Sequence, residues 1–127
     1  MTVLLDEVVE EHNRAHPELT LGINPVQDGR VVVDVAGRLD LDSSAQIRSI
    51  FDTIITALPS GGHLAVDLGR VYYISSTGVG MLISLLIQTM KQSKSFSVVH
   101  PQPQVLKIIE LLGFSKFMNI EVPHVRI

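Results

Sequence analysis

Hydrophobic residues recur along this chain with two alternating periods, and the changes of period mark out its elements. Residues 2–16 would form a short amphipathic helix, with Val3, Leu4, Val8 and Val9 on one face and Glu7, Glu10 and Glu11 turned outward. Pro17 ends it. The stretch LTLGI (19–23) alternates with period two and predicts a strand. NPVQDG supplies turn chemistry, and VVVDVAG (31–37) is β-branched enough for a buried strand. The connection is short, so these two strands are expected to be antiparallel neighbours.

Helical spacing then takes over in RLDLDSSAQIRSIFDTIITALPSGG. Ser43 followed by Gln46 has the spacing of a capping box. Ile47, Ile50, Phe51, Ile54, Ile55 and Leu58 line one face, while Arg48, Ser49, Asp52 and Thr56 face water. Pro59, Gly61 and Gly62 stop the helix. HLAVDLG (63–69) predicts a third strand. A helix from Ser76 to about Gln92 follows, with Lys91 and Lys94 suited to its C-terminal dipole. FSVVH (96–100) predicts a fourth strand. PQVLKIIELLG (103–113) predicts a helix with Pro near its first turn and Gly after its last, with Val105, Ile108, Ile109 and Leu112 facing inward. FMNIEV (117–122) would add a short edge strand. The order β-β-α-β-α-β-α, with that final edge strand, implies an α/β fold: a small mixed sheet with right-handed crossovers. Residues 1–17 read as an N-terminal extension, packed on the domain or on a partner, and 18–127 as the domain itself.

Composition narrows the function. The 127 residues are 46% hydrophobic and 18% charged, enough for a real core and too apolar for disorder. Only 5% are aromatic and none is Trp, so the core is aliphatic. The net charge is -3 with no basic cluster, so no nucleic-acid partner is expected. The chain has no Cys, which removes disulfides, thiolate metal sites and cysteine nucleophiles. No signal peptide is visible. The longest apolar segment, VGMLISLLI, is about half of what a membrane span needs. A soluble, cytoplasmic protein without membrane insertion is expected, with no cofactor and no metal. His12 and His16 stand at i, i+4 without a third ligand and read as a solvated helix end. His63, His100 and His124 belong to no motif.

One junction carries more than structure requires. YYISSTGVGMLISLL (72–86) turns from strand to helix across Ser75, Ser76 and Thr77. Hydroxyls there cap a helix by accepting its unpaired N–H groups. They also lie beyond the carboxyl end of a strand, where α/β sheets gather ligand and partner sites. From Gly78 to Ile87 the helix is small or apolar on nearly every side, with Ser84, Gln88 and Lys91 as a narrow polar stripe, so something must cover it. Gly78 and Gly80 permit another backbone to come close. Asp40 and Asp42 leave the second strand at the same sheet edge. Asp67 reads as a turn anchor. Of Tyr72 and Tyr73, one is expected to pack inward and one outward.

GRLDLDSSAQIRSIF, LAVDLGRVYYISSTGVGMLISL and VLKIIELLGFSKFMNI, in that order, resemble the anti-sigma-factor antagonist (STAS domain) family over roughly residues 19–122. The resemblance implies a regulator that binds an anti-sigma factor with serine kinase activity while its serine is unphosphorylated, and a phosphatase that restores that state. Aligned on Gly78 and Gly80, the phosphoacceptor is Ser76, with Ser75 and Thr77 as alternatives. The implied partner surface is Asp40, Asp42, Ser75, Ser76, Thr77, Gly78, Val79 and Gly80. This chain has Ser75 where the family usually has Asp or Asn. Either Ser75 substitutes as a polar cap, or the kinase differs, or phosphorylation has been lost. No catalytic residue is expected. A serine hydrolase is the competing enzyme reading, against which stand the missing G-x-S-x-G and a histidine placed by no known spacing. A third reading is a scaffold subunit of a larger signalling assembly or a regulator of a transporter in trans. A homodimer is compatible with all three.

Overall fold

The computed structural model describes residues 2–26 and 28–122, with side chains described over 5–25 and 28–122. The period-two stretches become β1 (Leu19–Val26) and β2 (Arg30–Leu39), paired antiparallel from Leu19–Gly37 to Val26–Arg30. Asp28 and Gly29, both with positive φ, reverse the chain between them. Three β-α-β steps follow: α2 (Leu41–Ala57), β3 (His63–Ile74), α3 (Ser76–Lys91), β4 (Ser95–Val99), α4 (Pro103–Leu111) and β5 (Ile120–Glu121). The sheet order is β1-β2-β3-β4-β5, with β2 to β5 parallel. The mixed α/β sheet expected from the sequence is present. Its core is aliphatic: Val31, Val33 and Val35 of β2, Leu64, Val66 and Leu68 of β3, and Ile47, Phe51, Ile55, Leu82, Leu85, Val105 and Ile109 from three helices. Arg48, Ser49, Asp52 and Thr56 face outward from α2 as its spacing requires.

Several expectations are corrected. The capping box of α2 is not Ser43 with Gln46. Asp40 is the N-cap, and its partner three residues on is Ser43. The Asp40 carboxylate accepts from Ser43 N at 3.1 Å, while Asp40 N donates to Ser43 Oγ at 2.9 Å. The third strand does not stop at Gly69, because β2 offers it a partner as far as Leu39 opposite Ile74. Two bulges let β3 keep pace, since it uses more residues than β2 over the same span. The second bulge places Tyr72 between the residues that pair with Gly37 and Arg38. Alternation is lost there, so Tyr72 and Tyr73 are both exposed, at 55% and 42%. Asp67 anchors the first bulge by accepting from Gly69 N at 2.8 Å. Helix α4 ends at Leu111, which leaves Leu112 exposed, and Phe114 packs on the core instead. The fifth strand is only Ile120–Glu121, since Phe117 N donates to Phe114 O in a turn that leaves Phe117 exposed.

Helix α1 (Thr2–Ala15) buries Val9 as expected, but the rest of its described packing face is shifted. Val9 and His12 are buried and Leu5 is half-buried, positions four and three residues apart, while Val8 faces solvent. The side chains of Val3 and Leu4 lie outside the described residues, as do residues 123–127 with His124. His12 is therefore not a solvated helix end: its Nε2 lies 2.9 Å from Leu19 O. Next to it, Asn13 Nδ2 donates to Leu21 O at 2.8 Å and Asn13 Oδ1 accepts from Leu21 N at 2.9 Å. An edge strand exposes unpaired backbone groups, and two α1 side chains satisfy three of those on β1, at Leu19 and Leu21.

Candidate functional site

Leu39 and Ile74, the last residues of β2 and β3, are register partners. Helices α2 and α3 therefore begin side by side at one sheet edge, capped by Asp40 and Ser75. The four residues GRLD explain how this edge is built. A Cβ on Gly37, whose φ is +124°, would collide with Glu18 O. Arg38 lays its guanidinium 4.3 Å from the centre of the Tyr73 ring and its Nε 3.5 Å from Asp40 Oδ2. Leu39 is fully buried, and its carbonyl accepts from Ser75 N at 3.0 Å. Asp40 caps α2. The Ser43 backbone N–H is the main cause that holds the Asp40 carboxyl below its ordinary range, with the Ser43 hydroxyl and Arg38 adding to it and burial opposing.

The three hydroxyls divide the work. Ser75 is the N-cap, and its Oγ accepts from Gly78 N at 3.2 Å. That is the role a short acidic or amide side chain fills at such a position. Ser76 and Thr77 occupy the first helical turn and are exposed, and Ser76 Oγ has no hydrogen-bond partner among the described residues. The two glycines differ. Gly78 is buried, and a Cβ there would run into the Leu39 carbonyl and approach Ile74 Cγ1 at 2.9 Å. Its smallness serves packing within the chain. A Cβ on Gly80 would meet nothing within 4 Å among the described residues. Val79, placed by resemblance at the partner surface, is 0% exposed and belongs to the core. Asp42 is exposed in the first turn of α2.

Between the two helix starts runs a groove of about 370 Å³, lined by Leu41, Ser44, Ala45 and Arg48 from α2 and by Thr77, Gly80 and Met81 from α3. Sequence reasoning missed its α2 wall. Leu41 continues the alternation of Val31, Val33, Val35 and Leu39, all buried, yet it is itself 64% exposed. Arg48 looks like any residue of a solvated helix face. Arg38 and Tyr73 were missed as a pair because a bulge brings them together. His63 and His100 lie away from this edge. His63 places its ring nitrogens 2.6 Å from Ser95 Oγ and 2.7 Å from Ser97 Oγ, and burial, helped by Arg30, lowers its pKa. His100 meets Asp67 at 3.3 Å. Among the described residues no helix is long and apolar enough to cross a membrane.

Known proteins share this architecture. A family profile described as "Mlab, STAS domain" matches residues 25–121. The anti-sigma-B factor antagonist of Bacillus subtilis (strain 168) is 22% identical over 90 residues, spanning 71% of this chain and 80% of that protein. The anti-sigma factor antagonist SpoIIAA in its unphosphorylated form superposes with a TM-score of 0.67 at 22% identity, covering 80% of this chain and 87% of that one. An anti-sigma factor antagonist from Mycobacterium paratuberculosis gives a TM-score of 0.71 at 24% identity, covering 84% and 87%. At such identities the two structures establish the fold. The profile covers the sheet from the end of β1 to β5, including both helix starts that form the groove, and on that match the chain belongs to the STAS domain family.

Proposed function

We propose that this protein is an anti-sigma-factor antagonist that works by binding rather than by catalysis. With Ser76 unmodified it holds an anti-sigma factor that is also a serine kinase. That partner phosphorylates Ser76 and is released, and a phosphatase resets the switch. The observation that carries this reading is the division between Ser75 and Ser76. Ser75 caps the helix, so Ser76 is left exposed with a hydroxyl that nothing in the described chain uses. Ser75 also makes the absence of Asp or Asn before the acceptor a conservative change.

The physical basis is electrostatic. A phosphoserine carries about -1.5 to -2 charge near neutral pH. The N-terminus of α3 tolerates that charge within the domain. A partner surface fitted to a neutral hydroxyl does not. Two like charges ~5 Å apart at an effective dielectric of ~20 repel by about 3 kcal/mol, roughly a hundredfold in affinity. Nothing need unfold for the complex to separate.

The test begins with a pull-down from the native host, followed by phosphosite mapping of the recovered protein. An anti-sigma factor is expected in the eluate and phosphate on Ser76. Affinities of the purified pair then decide: Ser76→Ala binds like wild type and Ser76→Asp binds at least tenfold more weakly. Equal, wild-type affinities for both variants overturn the proposal.

A further inference from the structure

We propose that the groove between α2 and α3 seats a helix of the partner, and that Arg48 pairs with an acidic residue on that helix. This rests on the antagonist reading above and names the surface through which it acts. The groove begins at Thr77, beside Ser76, and its near half is apolar, with Leu41 standing 64% exposed on one wall. No atom of the described residues lies within 4 Å of a Cβ on Gly80, which leaves the opposite wall open to close approach. In the α2 wall, Ser44 is 6% exposed and its Oγ has no hydrogen-bond partner among the described residues. A buried, unpaired hydroxyl is uncommon, and it marks this wall as a place where the chain leaves a polar group unused.

Arg48 joins two clefts. It lines this groove and also a second cleft, formed with Asp52, Ser84, Ile87, Gln88 and Lys91, so the two meet at its side chain. None of the four ion pairs among the described residues uses Arg48 or Lys91. From Leu41 to Asp52 the path is about 16 Å, or three turns of an occupying helix. An extended segment would set its unpaired backbone groups against Leu41, Ala45 and Met81, whereas a helix satisfies its own. The sign of the occupant follows from the switch. A phosphate on Ser76 repels an acidic helix and expels it. It would attract a basic one, and phosphorylation would then tighten the complex.

The test uses the full chain and the anti-sigma factor recovered in the pull-down, titrated by calorimetry. Arg48→Glu is expected to weaken binding by roughly tenfold to a hundredfold, the loss of one charge-assisted pair. Asp52→Lys is expected to tighten it. Both positions are exposed, and unchanged thermal melts check that both variants fold. If wild type binds and Ser76→Asp weakens it, yet Arg48→Glu binds as wild type or more tightly, the groove assignment is wrong and the antagonist reading stands. If no anti-sigma factor binds the wild-type chain, the antagonist reading fails and takes the groove with it.

Discussion

Asp40 accepts the Ser43 amide, receives the Arg38 guanidinium at 3.5 Å and returns its own N–H to Ser43. Removing a capping carboxylate costs about 1 kcal/mol, so Asp40→Ala is expected to lower the thermal midpoint by several degrees at neutral pH. Its charge adds a pH dependence. The folded pKa lies below the ordinary 3.8, so the unfolded chain takes up its proton first as pH falls. The contribution is whole above that value and is lost as the solution is acidified below it. Asp40→Asn keeps a good cap but has no carboxylate to titrate. Its stability relative to wild type is therefore expected to improve from pH 6 to pH 3, measured by denaturant unfolding at each pH. The cap itself was legible in the sequence as Ser-rich capping chemistry. Which residue capped was not, because Asp40 and Ser43 both fit the local pattern and only the strand end at Leu39 chooses between them.

Helix α3 shows how one element answers two demands. Its start must pack against the end of β2, and its outer face must stay open. Gly78 and Gly80 divide these demands, although they look alike in sequence. Gly78→Ala drives a methyl group into the Leu39 carbonyl and is expected to cost about 1–3 kcal/mol, the usual range for overpacking. Gly80→Ala meets nothing and gains helix propensity, about 1 kcal/mol. Urea unfolding of the pair separates them: a shared direction of change would contradict the packing described here. Strand β3 carries a similar lesson. Its length and the outward turn of Tyr72 and Tyr73 come from bulges that follow the partner strand, and a strand's own residues do not announce a bulge.

On the scale of the whole molecule, the N-terminal helix and the sheet are one structure. Asn13 occupies the place of a neighbouring strand at Leu21, taking its N–H and giving to its C=O. Asn13→Ala removes both bonds and is expected to cost about 1–3 kcal/mol. Amide hydrogen exchange at Leu21 should rise more than at Val33, which lies in β2; an unaltered Leu21 rate would show that α1 does not protect this edge. The groove is also a property of the whole. Its walls come from two helices whose starts coincide only because Leu39 and Ile74 share a register.

The periods of the hydrophobic pattern were enough to place every helix to within a few residues, and to predict a small mixed sheet whose first two strands pair antiparallel. Those signals are local, because burying one face of a helix or strand constrains residues at fixed spacing. The hydroxyl cluster at 75–77 was legible for the same reason. Contacts between distant residues were not. The burial of His12 under β1, the wall built by Leu41 and Arg48, and the separate duties of Ser75 and Ser76 depend on which backbone arrives alongside. Only the folded sheet brings those backbones together.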